Sequence, residues 1–126
     1  MTSRPSIPWR WKILQELALL SSVDAQLAWQ QRVSYDVVPE LFCGWSDDTY
    51  HSDCDYSDEF SPVELKALAV FNGVFRRLVP ALPRDVQGVE DLVRDPNWLA
   101  VVDSARMTLR VLSLNEPDRN VDSTRP

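Results

Sequence analysis

Apolar residues along this chain recur every three or four positions with polar residues between them, the period of helices that bury one face. Trp9, Ile13, Leu14, Leu17, Ala18 and Leu20 predict a helix over about 8–20, with Pro8 in its first turn. Ser21 and Ser22 end it and cap a second helix through VDAQLAWQQRV, where Asp24 adds negative charge to the first turn. In YDVVPELFCGW, Val38 precedes a proline, which pushes it toward extended backbone; Glu40, Leu41 and Phe42 then begin a short helix that Gly44 ends. From Ser46 to Ser57 there is no helical apolar stripe, and Ser, Asp and Thr favour local turns, so a loop is expected.

Beyond that loop the start signals sharpen. Ser61, Pro62 and Glu64 form a capping box, with Phe60 before it placed as a hydrophobic staple toward Leu65. Leu65, Leu68, Phe71, Phe75 and Leu78 predict a helix to about Val79, which Pro80 and Pro83 stop. Residues 80–95 read as a connection holding one helical turn at VEDLV. Asp95 and Pro96 repeat the start signal, and Trp98, Val102, Ala105, Leu109 and Leu112 share one face of a last helix. No segment combines sustained alternation with hairpin turns. The expected fold is therefore all-α: a single-domain bundle of four to five helices with an acidic connecting loop, spanning 1–115, followed by a flexible tail over 116–126.

Composition narrows the setting. At 126 residues, 44% hydrophobic and 25% charged, the chain is sized and balanced for one globular domain. Apolar runs such as LALL are too short for a bilayer span, and Lys12 and Glu16 interrupt what would be the apolar part of a secretory leader, so no membrane segment and a cytoplasmic location are expected. Cys43 and Cys54 are too few to staple a domain of this size and are expected as free thiols.

Charge changes the picture more. The net charge is −6, which disfavours direct binding to nucleic acid. Between Arg32 and Lys66 stand nine acids and no lysine or arginine, so this segment carries −9 while the remainder sums to +3. Such segregation suits a basic partner, although it is also what a solvated loop looks like.

The stretch GWSDDTYHSDCDYSDEF holds the candidate chemistry. Cys43, His51 and Cys54 with a nearby aspartate are ligand types that zinc accepts, but no Cys-x-x-Cys knuckle is present, and Cys43 between Phe42 and Gly44 reads as a small core residue. DCDYSDE departs from a calcium loop, with Ser57 at its fifth place and Asp58 where the turn glycine belongs. Either cysteine would need His51, an orienting group and an oxyanion site to act as a nucleophile, and no phosphate-binding glycine loop occurs, so neither an enzyme nor a cofactor is expected. A protein-binding surface uses the same residues more fully: Trp45, Tyr50 and Tyr56 as aromatic anchors, and Asp47, Asp48, Asp53, Asp55, Asp58 and Glu59 as partners for lysines and arginines. The alternative is that Trp45 and Tyr50 turn inward and pack the loop onto the helices.

The order VPELFCGW, DDTYH, FSPVELKALAVFNGVF, LP and DPNWLAVVDSARMTLRVL resembles small bacterial immunity proteins of contact-dependent growth inhibition and related polymorphic toxin systems, over about residues 33–112. That resemblance implies a cytoplasmic binder that neutralises a cognate toxin domain, often a nuclease with a basic active site. The runner-up is a non-catalytic adaptor or regulator for some other basic protein.

Overall fold

Each capping signal read from the sequence sits at a helix start in the computed structural model, which describes residues 9–114. Among the described residues six α-helices follow one another: α1 (Trp9–Leu20), α2 (Val23–Arg32), α3 (Val38–Cys43), α4 (Pro62–Leu78), α5 (Val89–Leu92) and α6 (Pro96–Leu114). The Ser22 hydroxyl accepts the Ala25 N–H at 3.0 Å, and Ser61 and Glu64 exchange both bonds of the capping box. At α6, Asp95 Oδ1 takes the Asn97 N–H at 2.8 Å. No strand occurs among the described residues, so the chain is all-α, as expected; the single turn α5, expected within a connection, brings the helix count to six. Pro8 and the segment 116–126 lie outside the described residues.

Two local expectations are corrected. Val38 is the first residue of α3 rather than extended, because Asp36 Oδ1 accepts its N–H at 3.0 Å and both Val37 and Val38 are buried. α3 ends at Cys43 with Gly44 as its C-cap, but no loop follows directly: Gly44 keeps right-handed dihedrals, φ −58° and ψ −39°, and the chain widens into a π-helical turn over Gly44–Thr49, closed by Tyr50 N–H to Trp45 O at 2.7 Å. The backbone at Gly44 lies against the end of the Glu16 side chain, and a Cβ at position 44 would stand 2.9 Å from Glu16 Oε2.

α6 packs against both α1 and α4, and one core joins Ile13 and Leu17 of α1, Leu68, Phe71 and Phe75 of α4, and Trp98, Val102 and Leu112 of α6. At one end of this core Arg10 of α1 reaches across to Glu64 at the start of α4. Its guanidinium donates to Glu64 Oε1 and Oε2, each at 3.0 Å, to Glu59 O at 2.9 Å and to Leu112 O of α6 at 3.3 Å. The Arg10 backbone N–H donates to Glu59 Oε1 at 2.8 Å, and the guanidinium lies 5.0 Å from the centre of the Phe60 ring. Burial works against ionising Glu64, yet the hydrogen bonds from Arg10 and from the Ser61 backbone outweigh it and hold the carboxyl below its usual range.

Gln26, the one buried residue of α2, forms a second polar junction at the far end of α1. Its amide donates to Leu19 O and Leu20 O at the end of α1, the first of which also accepts the Ser22 N–H at 3.3 Å, and its carbonyl accepts the Trp98 indole N–H at 3.2 Å. A single amide thereby ties α1, α2 and α6.

Arg10→Met leaves the Glu64 carboxylate buried without its cation and is expected to cost about 3 kcal/mol or more in urea unfolding, with part recovered in the Arg10→Met/Glu64→Gln double variant. Because the folded Glu64 pKa is depressed, its contribution is present above the ordinary glutamate value of 4.5 and is lost as pH falls through the lower folded value. The two variants should accordingly show a flatter acid limb than the parent.

Candidate functional site

The acidic segment divides its residues by layer. Trp45 is fully buried and Tyr56 nearly so, and Tyr50 lies stacked between them, 5.0 Å from the Trp45 ring and 5.4 Å from that of Tyr56. Phe71 of α4 meets Trp45 edge-on at 4.8 Å, and the Trp45 indole N–H donates to Asn72 Oδ1 at 3.0 Å. Trp9 of α1 makes edge contacts with Tyr56 and His51, while the His51 backbone N–H donates to the Tyr56 hydroxyl at 2.9 Å. Trp45 and Tyr56, expected as anchors for a partner, are thus part of the core, and Tyr50 is half-buried between them. The π-helical turn explains the placement, because it turns Trp45 and Thr49 to the interior while Asp47 and Asp48 stay outside.

Asp47, Asp48, Asp53, Asp55 and Asp58 are exposed. Asp55 accepts the Ser57 N–H at 2.9 Å; the backbone and side-chain hydrogen bonds from Ser57 hold its carboxyl below the ordinary aspartate range. Glu59 is different: it is half-buried and spends its carboxylate on the Arg10 N–H, so it belongs to the α1 junction rather than to the free face. Cys43 is exposed instead of being a core residue, because it lies on the outer side of α3 while Leu41 and Trp45 turn inward. Cys54 is an exposed free thiol as well. Among the described residues no three His, Cys, Asp or Glu side chains are placed to hold a metal ion.

A second feature was not foreseen. A groove of about 760 Å³ runs between α1, α2 and the α3 to π-helix segment. Ala18, Ala25 and Ala28 give it an apolar floor, Trp29 an aromatic wall, and Glu16, Glu40 and Asp48 its carboxylates; Lys12 and Arg32 also face it. Glu16 is pushed up to about 7, first by burial and then by the neighbouring Asp48 charge, with Lys12 opposing. Lys12, four residues earlier on α1, forms no ion pair with it; its ammonium sits 5.2 Å from the centre of the Trp9 ring. Glu16 accepts no hydrogen bond from any described residue.

Sequence reasoning counted Lys12 and Glu16 only as interruptions of an apolar leader. The available signal was their position: 12, 16 and 19 form an i, i+4, i+7 stripe beside the buried stripe of 13, 17 and 20. Trp29 and Arg32, three apart on α2, supply the facing wall. Nothing in the sequence showed that Gly44 would bring the backbone against Glu16.

The chain matches no protein-family model, no curated protein and no solved structure. Among the described residues, no helix is long and apolar enough to cross a membrane.

A raised carboxyl pKa means that the folded state holds an extra proton between the ordinary value of 4.5 and about 7, so Glu16 destabilises the fold progressively as pH rises through that window. Glu16→Gln removes the penalty. Relative to the parent it is expected to gain on the order of 2 kcal/mol between about pH 5 and about pH 8 in paired urea titrations.

Proposed function

We propose that this protein is a non-catalytic binding protein that captures a basic protein partner, namely a cognate bacterial toxin domain in the manner of an immunity protein. The observation that carries the reading is the set of exposed aspartates 47, 48, 53, 55 and 58 on a backbone anchored from beneath by the Trp45, Tyr50 and Tyr56 stack. An anchored backbone presents its charges without ordering a loose loop on association, which lowers the entropic cost of binding. Segregated negative charge quickens encounter with a cationic surface such as the phosphate-binding cleft of a nuclease. The resemblance over residues 33–112 supports the same reading.

With the aromatics inside, affinity has to come from charge together with neighbouring helix faces. Val63 and Val70 of α4 are large apolar side chains left in solvent and can contribute contact area. A stable complex buries about 1,600 Å² in total, more than the acidic segment alone offers.

The test is to look for a toxin domain encoded beside this protein's own reading frame and to co-express the two. Protection of growth and a purified one-to-one complex are expected; neither protection nor a complex would end the immunity reading. In that complex, changing Asp47, Asp53, Asp55 and Asp58 together to asparagine should slow association about tenfold at low salt and much less at high salt.

A further inference from the structure

The groove between α1, α2 and the π-helical turn has a composition that the acidic face lacks. It joins an apolar floor, an aromatic wall and carboxylates that form no ion pair with a cation among the described residues. Glu16 lies half-buried at its base against Gly44, with Asp48 close enough to act on its charge. The nearest cation on its own helix, Lys12, is turned to the Trp9 ring. Glu40 adds a third carboxylate, and Trp29 is held by an edge contact with Tyr35 at 6.4 Å.

We propose that this groove is a receptor for one arginine side chain from a segment of the partner protein, with its guanidinium between Glu16 and Asp48 and its stem on the alanine floor beside Trp29. The inference rests on the reading of the protein as a binder of a basic partner and assigns the point of insertion. Charge complementarity selects a cation: the site joins the half-buried Glu16 and the exposed Asp48 and Glu40 to an aromatic face, and neither Lys12 nor Arg32 forms an ion pair with them. Arginine suits it better than lysine, because a planar guanidinium is weakly hydrated, stacks on an indole and donates to two carboxylates at once.

Insertion has a proton balance. With its pKa raised to about 7, Glu16 is protonated in about half of the molecules at neutral pH, and a guanidinium beside it favours the carboxylate, so binding there releases up to about half a proton per arginine from Glu16 into solvent. The charged groups that line the groove with Glu16 are Lys12 from α1, Arg32 from α2, Glu40 from α3 and Asp48 from the π-helical turn; Asp48 and Lys12 act on its charge, and the incoming cation adds to this set. Affinity should consequently rise with pH through the titration of Glu16.

The experiment titrates the full chain with the blocked tripeptide Ac-Ala-Arg-Ala-NH2, followed by amide and indole NMR resonances, beside its lysine and citrulline counterparts and free arginine. Expected are shifts centred on Gly44, Asp48 and the Trp29 indole, binding about fivefold tighter for arginine than for citrulline, and tightening of about fivefold from about pH 6 to about pH 8. Glu16→Gln should abolish the pH dependence and most of the preference over citrulline, whereas Asp53→Asn/Asp55→Asn should leave both unchanged. Equal binding of citrulline, shifts confined to other surfaces, or unaltered binding by Glu16→Gln would overturn the proposal. Free arginine bound as tightly as the blocked peptide would overturn a protein segment as the occupant. Should a captured partner lose affinity with the aspartate variant but not with Glu16→Gln, the groove fails while the partner reading stands. Peptide binding in a protein that captures no basic partner supports the groove and overturns that reading.

Discussion

The structure turns on Arg10. A guanidinium that is mostly removed from solvent must place its charge and its donors, and here one side chain meets a carboxylate on α4, a carbonyl at the end of the acidic segment and a carbonyl near the end of α6. Each partner comes from a different stretch of chain, so the junction exists only when all three are in place. The same Glu64 that begins α4 as a capping residue is the counter-ion, which couples the start of a helix to tertiary packing. Local and long-range requirements agree on one carboxylate, the kind of consistency that makes a fold specific.

From that junction the acidic segment follows. Glu59 and Phe60 are held by Arg10, Tyr56 packs edge-on against Phe60, and the stacked rings of Tyr56, Tyr50 and Trp45 carry the anchoring back to α4 through Phe71 and Asn72. A stretch rich in charge and turn residues is therefore fixed from below by aromatics drawn from within it. The π-helical turn lets a short run send its tryptophan inward and its aspartates outward.

The long helices were legible because their signals are local. Ser61 to Glu64 is complete within four residues, and the stripes of α4 and α6 each repeat over several turns. The burial of Leu68, Phe71, Phe75, Trp98, Val102 and Leu112 follows from that period. What stayed hidden depends on contacts distant in sequence. Gly44 looks like a helix stop, and its approach to the carboxylate of Glu16 on another helix leaves no local mark. Trp45 reads equally as a surface anchor or as core until the α4 face that receives it is in place. Gln26 lies in a polar helix where a glutamine passes as surface, and its partners on α1 and α6 cannot be read from composition. The Asp36 side chain reversed the ordinary effect of a proline on the residue before it, a local hydrogen bond winning over a local steric bias.

The layering of the acidic segment separates two kinds of heritable change. Substitutions at Trp45, Tyr50 or Tyr56 disturb packing, whereas Asp47, Asp48 and Asp53 stand on the outside, where replacement leaves the stacked rings untouched. A scaffold divided in this way can trade one surface pattern for another across generations while its interior is retained, so divergence in what the molecule recognises need not wait for a new fold.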